Sequence, residues 1–420
     1  MNSVFENILS EMHSHLEEGI IRFWSERCLD KKYGGYLTNF DDAGADCGTP
    51  EKYLNTQARI VWGFSRFYKM YPQNQNLKEI ASIGVDFLLK YFWDDLHGGW
   101  YWKVNQDGSR LDDGKVVYGQ SFAIYALAEY FMATGDTRAL DKASITFDLL
   151  QKYCTDTRYG GYYENLEPNW DVAPDGFCAG DRKGLDTHMH LMEAFTNLAL
   201  ASKKEIHRRK LIEVVEVIVK YMIDHKYGCG QNQFDLEFNP IPAIAIRRTW
   251  NAEREGEAVP EPIDTTSYGH NVELAWLLHR AIKTTGMDVS RFSPLIKKLL
   301  DHALAHGVDW EFGGIYRDGT HDGNALILEK EFWQNAEVLV GFLDGYELLG
   351  DKRYLDAVEN IWKFVDKKMI NHQVGEWRIL LDRKGEPIDN NIGNPWKVCY
   401  HTGRSMVECI ELLQKINVGN

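Results

Sequence analysis

Apolar residues recur three and four positions apart along this chain, the spacing that places them on one face of a helix. In the run 77–92 they stand at Ile80, Ile83, Phe87, Leu88 and Tyr91. The run 118–133 also reads as a helix but is rich in small residues, Gly119, Ser121, Ala123, Ala126 and Ala128, which suit close packing on every side. Between such runs an aromatic-flanked glycine pair returns: Tyr33-Gly34-Gly35-Tyr36, His97-Gly98-Gly99-Trp100, Tyr159-Gly160-Gly161-Tyr162 and Phe312-Gly313-Gly314-Ile315. Tyr227-Gly228-Cys229-Gly230 and Val374-Gly375-Glu376-Trp377 keep the rhythm in degraded form. Glycine pairs permit a tight reversal with positive φ, so each marks a short hairpin.

The first glycines fall at 34, 98, 160, 228, 313 and 375, in steps of 64, 62, 68, 85 and 62. Six units follow, one of them enlarged within 231–266. In each unit the helix before the glycines is the more charged, as in 203–221, and suits an outer layer. The helix after them is the smaller-residued, inner one. Neither end of the chain carries a capping repeat of different character, and no linker rich in Gly, Ser or Pro divides it. The expected fold is therefore all-α, an (α/α)6 barrel of six inner and six outer helices with short hairpins at the loop ends, forming a single domain over 1–420.

Each inner helix opens with polar side chains: Asn55, Gln57 and Arg59; Tyr118 and Gln120; Asp186, His188 and His190; His270 and Glu273; Trp333 and Glu337; Trp396, His401 and Arg404. A closed barrel brings six such clusters to one mouth. Burying that many ionisable groups without a ligand is costly, so a functional pocket is expected there. The stretch 268–276 is its centre: His270, Glu273 and Leu274 share a helical face, with Trp276 following. In His188-Met189-His190 the two imidazoles point about 200° apart on a helix, so one of them faces the pocket and no metal pair forms. No HExxH or paired-Cys ligand set and no Gly-rich phosphate loop is present, so neither metal nor nucleotide cofactor is expected.

Composition narrows the partners. The 420 residues are 44% hydrophobic and 26% charged, as in a globular chain, and aromatics reach 13%, enough for a sugar-stacking cleft or a bulky toroidal core. The net charge of −15 argues against nucleic acid and anionic membrane. Seven scattered cysteines read as reduced thiols, and neither a signal peptide nor an 18-residue apolar run is present, so a cytoplasmic protein is expected, a monomer or weak homodimer.

Taken together, Gln57-Ala58-Arg59, Tyr118–Ala126, Thr187–Ala194, Ser267–His270 with Glu273 and Trp276, Trp333 with Glu337, and Trp396 with His401 resemble the N-acylglucosamine 2-epimerase superfamily, nearest its cellobiose and mannose 2-epimerase branch. The resemblance covers nearly the whole chain. It implies cofactor-free epimerisation at C2 of a reducing sugar through a cis-enediolate, with His270 and His401 as the acid/base pair. It further implies that Arg59 faces the enediolate oxygens, that Tyr118 and His190 hold sugar oxygens, and that Trp333 and Trp396 stack on the ring. Glu273 and Glu337 are expected to orient the two histidines.

Two features depart from that pattern. Asp186 stands where the cellobiose enzymes usually have Asn. The enlarged unit places extra chain, including 247–260, ahead of His270, where it is expected to cover part of the mouth and favour a free monosaccharide, mannose or glucose, over cellobiose or mannobiose. Mannose–fructose isomerisation is the near rival and differs in returning the proton to C1. A glycoside hydrolase or lyase using Glu273 and Glu337, or a sugar-binding module with no need of acid/base histidines, are the rivals of other classes.

Overall fold

A computed structural model describes residues 3–249 and 260–418. Helix α1 (Ser3–Ser14) continues through a wide π-helical stretch, His15–Ile21, into Arg22–Arg27. After it come α2 (Leu54–Met70), α3 (Gln75–Phe87), α4 (Val117–Thr134), α5 (Thr137–Leu149) and α6 (Leu185–Ser202). The second half holds α7 (Glu205–Tyr221), α8 (Tyr268–Thr285), α9 (Ser293–His306), α10 (Phe332–Leu349), α11 (Arg353–Phe364) and α12 (Cys399–Val418).

The even-numbered helices form the inner ring. Each packs on the next, and α12 returns to α2, so the barrel is closed. The odd-numbered helices wrap outside, and α1 closes the outer layer against α12. Inner α4 is buried on every side from Val117 to Tyr130 apart from Tyr118. Its small residues are what close approach demands: a methyl on Gly119 would meet Trp102 and Leu54 at 3.0–3.1 Å. The outer helices keep one apolar face; α11 buries Tyr354, Ala357, Val358, Ile361 and Trp362 and turns its charges outward.

All six glycine motifs are hairpins. Four are marked by the pairings Leu29–Tyr36, Trp93–Trp100, Thr155–Tyr162 and Val308–Ile315. The degraded copies pair Ile223–Asp224 with Cys229–Gly230 and Ile370–Asn371 with Glu376–Trp377. Both glycines of the first motif have positive φ, 81° and 67°, so side chains there would be strained. Within each turn an Asp or Asn side-chain oxygen accepts backbone N–H bonds, as Asp94 Oδ1 does from Leu96 and His97.

A lysine two residues ahead of the inner helix then reaches that Asp. Lys52 pairs with Asp30, Lys115 with Asp94, Lys183 with Asp156 and Lys330 with Asp309, at 2.7–3.1 Å, all with side chains at most 3% exposed. In the sixth unit Lys397 pairs with Glu376 at 3.4 Å. In the fourth, Thr266 occupies the lysine position and His321 from the following unit contacts Asp224 at 3.1 Å. Five hairpins are thereby fastened to the start of an inner helix, and short antiparallel strands such as Glu51–Tyr53 on Lys103–Asn105 link neighbouring units around the rim.

Breaking one buried fastening leaves an ammonium without its counter-ion. Asp94→Ala is expected to lower the unfolding free energy by about 3–5 kcal/mol, read as a fall in the urea midpoint at unchanged slope. Adding Lys115→Met should recover most of the loss. A single variant as stable as the parent would contradict the role given to the pair.

Candidate active site

The inner helices start from extended residues at the rim, and their first turns split the polar residues between two tasks. The fourth residue turns back to the hairpin. Gln57 accepts from Tyr36 N at 2.9 Å, Gln120 from Trp100 N at 3.0 Å, Asn271 from Gly230 N at 2.7 Å and Asn335 from Ile315 N at 3.1 Å. His188 does the same for Tyr162 N through Nε2, while its Nδ1 meets Gly184 O. Burial lowers the His188 pKa to about 4, so it is neutral and structural. The expectation that all six polar clusters face one pocket therefore needs correction: this set holds hairpins. The expectation that His188 and His190 point apart agrees with the geometry.

The sixth residue points to the barrel axis. Those positions hold Arg59, Phe122, His190, Glu273, Glu337 and Arg404. At the centre lies Arg404, whose side chain has no exposed surface. Its Nη2 is 2.5 Å from Glu273 and 2.8 Å from Glu337, and its Nη1 contacts Glu193 and the Tyr400 hydroxyl. One guanidinium thus joins carboxylates from α6, α8 and α10. Glu193 and Tyr400 were not singled out from sequence, and Arg404 was quoted there without a role; the signal was Arg404 standing in phase with Arg59, His190, Glu273 and Glu337.

Burial and the neighbouring Glu337 raise the Glu273 pKa to about 7, against the pull of Arg404. Despite burial, Arg404, His190 and Tyr400 hold Glu193 at about 2. Glu273, Glu337 and His401 bring ligand-type atoms within 4.8 Å of one another. The Arg404 guanidinium already bonds both of those carboxylates, so they fit a cation of the protein's own rather than a metal.

His401 donates from Nδ1 to Glu337 Oε1 at 2.7 Å, leaving Nε2 as the basic nitrogen. Burial, reinforced by Arg59 and Arg404, keeps its pKa well below the ordinary imidazole value, so it is neutral. His270 lies nearer the mouth, its side chain 28% exposed. Both rings pack on one indole, Trp333, with centroid distances of 4.5 Å for His270 and 5.9 Å for His401. Nothing links His270 to Glu273 by a hydrogen bond among the described contacts; Glu273 is turned to Arg404, which corrects the expectation that it orients His270. The carboxylate beside His270 is Asp186, at 3.7 Å from Nε2. Asp186 also meets His190 Nε2 at 3.2 Å, and His190 Nδ1 meets Glu193 at 2.9 Å. Burial alone would lower the His190 pKa; the two carboxylates overcome it and raise the value to about 9.

Arg59 closes the circle. Its Nη2 donates to the Tyr118 hydroxyl at 2.6 Å, its Nη1 reaches the Trp396 carbonyl at 3.3 Å, and its guanidinium lies 4.3 Å from the Phe122 ring. Tyr118, Asp186, His270, Trp333 and Trp396 are half-buried at the mouth, whereas Arg59, His190 and His401 lie buried below them. Trp276 is deeper than expected. It is buried, its Nε1 donates to Glu337 at 3.3 Å, and its ring carries the Arg404 guanidinium at 4.9 Å, so this residue, expected among the substrate-binding groups, supports the charged ring from beneath.

The enlarged fourth unit crosses this rim. Its strand Gln233–Asp235 pairs with Arg182–Gly184 just ahead of α6. Arg247 N donates to Phe177 O and Arg247 O accepts from Asn165, both in the third unit. Arg248, at φ 69°, forms a two-pronged pair with Asp112 of the second unit, Nε to Oδ2 at 2.9 Å and Nη2 to Oδ1 at 2.8 Å. The loop thus spans from unit four to unit two. The remainder of the expected covering segment, 250–259, lies outside the described residues.

The sequence pattern of the family described as N-acylglucosamine 2-epimerase (GlcNAc 2-epimerase) matches residues 35–405. A cellobiose 2-epimerase of Bacteroides fragilis is 29% identical over 415 residues, covering 97% of this chain and 99% of that one. A D-mannose isomerase of Marinomonas mediterranea is 24% identical, covering 97% of each. The solved cellobiose 2-epimerase of Spirochaeta thermophila superposes with a TM-score of 0.87 at 28% identity, covering 99% of both chains.

These ion pairs make stability depend on pH. The folded His190 pKa of about 9 lies above its ordinary 6.5, so its contribution is whole below 6.5 and lost as pH rises through 9. The folded Glu273 value of about 7, above 4.5, adds a loss between those two. Raising pH from 6.5 to 9 is expected to cost about 3 kcal/mol of unfolding free energy. His190→Gln should flatten that slope in a denaturation series; an equally steep slope in the variant would show that His190 is not its source.

Proposed function

The chain belongs to the N-acylglucosamine 2-epimerase family, and from that premise we propose that it interconverts D-mannose and D-glucose by moving the C2 proton of the opened sugar. The observation that carries the reading is the pair of imidazoles from α8 and α12 packed on the same indole, one neutral and buried beside its carboxylate, the other half-open at the mouth. His401 Nε2 takes the proton from C2. The bonding electrons pass into the C1–C2 bond, giving a cis-enediolate whose developing negative charge on O1 faces Arg59. After rotation about C2–C3, His270 delivers a proton to the opposite face of C2. Each placed acid or base contributes about 10²–10⁴-fold, and the Arg59 charge on the order of 3 kcal/mol. Trp333 and Trp396 stack on the sugar and the Tyr118 hydroxyl holds one of its oxygens, whereas His190, expected to do the same, has both ring nitrogens facing Asp186 and Glu193 and supports the pocket from beneath; residues 1–420 act as one catalytic domain.

The monosaccharide preference rests on the loop carrying Arg247 and Arg248 across units two and three. The relatives named cellobiose 2-epimerase favour a second reading, in which the same chemistry acts on the reducing end of a β-1,4 disaccharide. Isomerisation to fructose shares the enediolate and differs in product. A hydrolytic role for Glu273 and Glu337 is disfavoured because both are committed to Arg404.

Mannose incubated in deuterium oxide is expected to yield glucose deuterated at C2 and no fructose, by proton NMR. His270→Ala and His401→Ala should each reduce the rate about 10²–10⁴-fold. Label at C1 of fructose would overturn the epimerase assignment. Releasing the loop by Arg248→Ala should raise kcat/KM for cellobiose relative to mannose, and the exchanged pair Arg248→Asp with Asp112→Arg should restore the original ratio. A wild-type preference for cellobiose would refute the loop argument outright.

A further inference from the structure

Each of the two histidines has a carboxylate beside it, and the two carboxylates differ. The partner of His401 is Glu337, buried, fixed at 2.7 Å and shared with Arg404. Glu273, on the helix of His270, is spent on the same arginine. Among the described residues, the carboxylate in ion-pair range of His270 is Asp186 of α6, 43% exposed at the mouth.

We propose that Asp186 is a positioning residue, bridging Nε2 of His190 and Nε2 of His270 so that the mouth imidazole is oriented and supplied with a counter-charge as the proton donor, a role that rests on the reading of the preceding subsection. The reaction needs such a group. When C2 has been reprotonated, His270 has given up its proton and His401 holds the one taken from C2. Restoring the starting state requires His270 to gain a proton from water and His401 to lose one. The anion stands where the first transfer takes place, 3.7 Å from Nε2 of an imidazole that is itself in contact with solvent. Arg59 and Arg404 beside His401 favour the second.

The surroundings are consistent with an ionised Asp186. Partial desolvation in the mouth would raise its pKa, but the bond from His190 and the charges of His190, His270 and Arg59 hold it low. Tyr118 of α4 and the buried Glu164 ahead of α6 both feel its negative charge. Glu193 holds the far side of His190, and Glu273 faces both His190 and His270 from α8. Because both nitrogens of His190 are engaged by carboxylates, that ring is a fixed cation and not a competing acid or base.

The test compares Asp186→Asn and Asp186→Glu with the parent, using two readouts. The first is the NMR titration of the His190 imidazole, which needs no substrate. In Asp186→Asn it should titrate lower by about one pH unit or more, and in Asp186→Glu it should stay. The second is the pH profile of C2 hydrogen exchange in mannose: in Asp186→Asn the alkaline limb of kcat/KM should move to lower pH and kcat fall about 10-fold, with Asp186→Glu retaining the limb. An Asn variant with an unmoved titration and limb, changed only in KM, would overturn the proposal in favour of a simple sugar hydrogen bond. If the parent protein exchanges no C2 hydrogen in mannose or in cellobiose, the underlying epimerase reading fails instead.

Discussion

A guanidinium with no exposed surface cannot stand alone in a protein interior, and the centre of this barrel is arranged around that constraint. Removing such an ion from water carries a penalty of several kcal/mol even after relaxation. Arg404 meets it with three carboxylates and a tyrosine hydroxyl, drawn from α6, α8, α10 and its own helix. The same contacts set the groups around it. Glu337 reaches from Arg404 to His401, and Glu193 reaches from Arg404 to His190. The orientation of the buried imidazoles is therefore a by-product of neutralising one charge.

The rim obeys the same logic at smaller scale. Five hairpin turns gather an Asp and the sixth an Asn that accepts backbone N–H bonds, and in four units a wholly buried lysine pairs with the Asp. The fourth residue of the inner helix then bonds the hairpin backbone. These polar contacts specify where each inner helix begins, and so the depth at which its sixth residue meets the axis. Apolar packing supplies the bulk of the core but has little directional preference.

Much of this was legible in the chain. The glycine pairs gave the unit length, the small residues distinguished inner from outer helices, and phase alone brought His190, His270, Glu337 and His401 together. The lysines at 52, 115, 183, 330 and 397 also stood at one offset from the inner helices, a signal that was present and unread. What periodicity could not supply was direction within the first turn: Gln57 and Arg59 are two residues apart, yet one serves a hairpin and the other the axis. Contacts between distant units were equally hidden. Glu273 is three residues from His270 but bonds Arg404, 131 positions away, and Trp276 is drawn beneath that guanidinium.

Because each inner helix is bonded near its start to a hairpin, the length of the connection leading into it does not set its position. The fourth unit shows what that permits. It carries a much longer connection than its neighbours, yet α8 enters the ring in register and presents His270 at the mouth beside Asp186. Length can be added on the rim without transmitting strain to the axis. In such an architecture the rim can vary in length while the charged side chains at the axis keep their places.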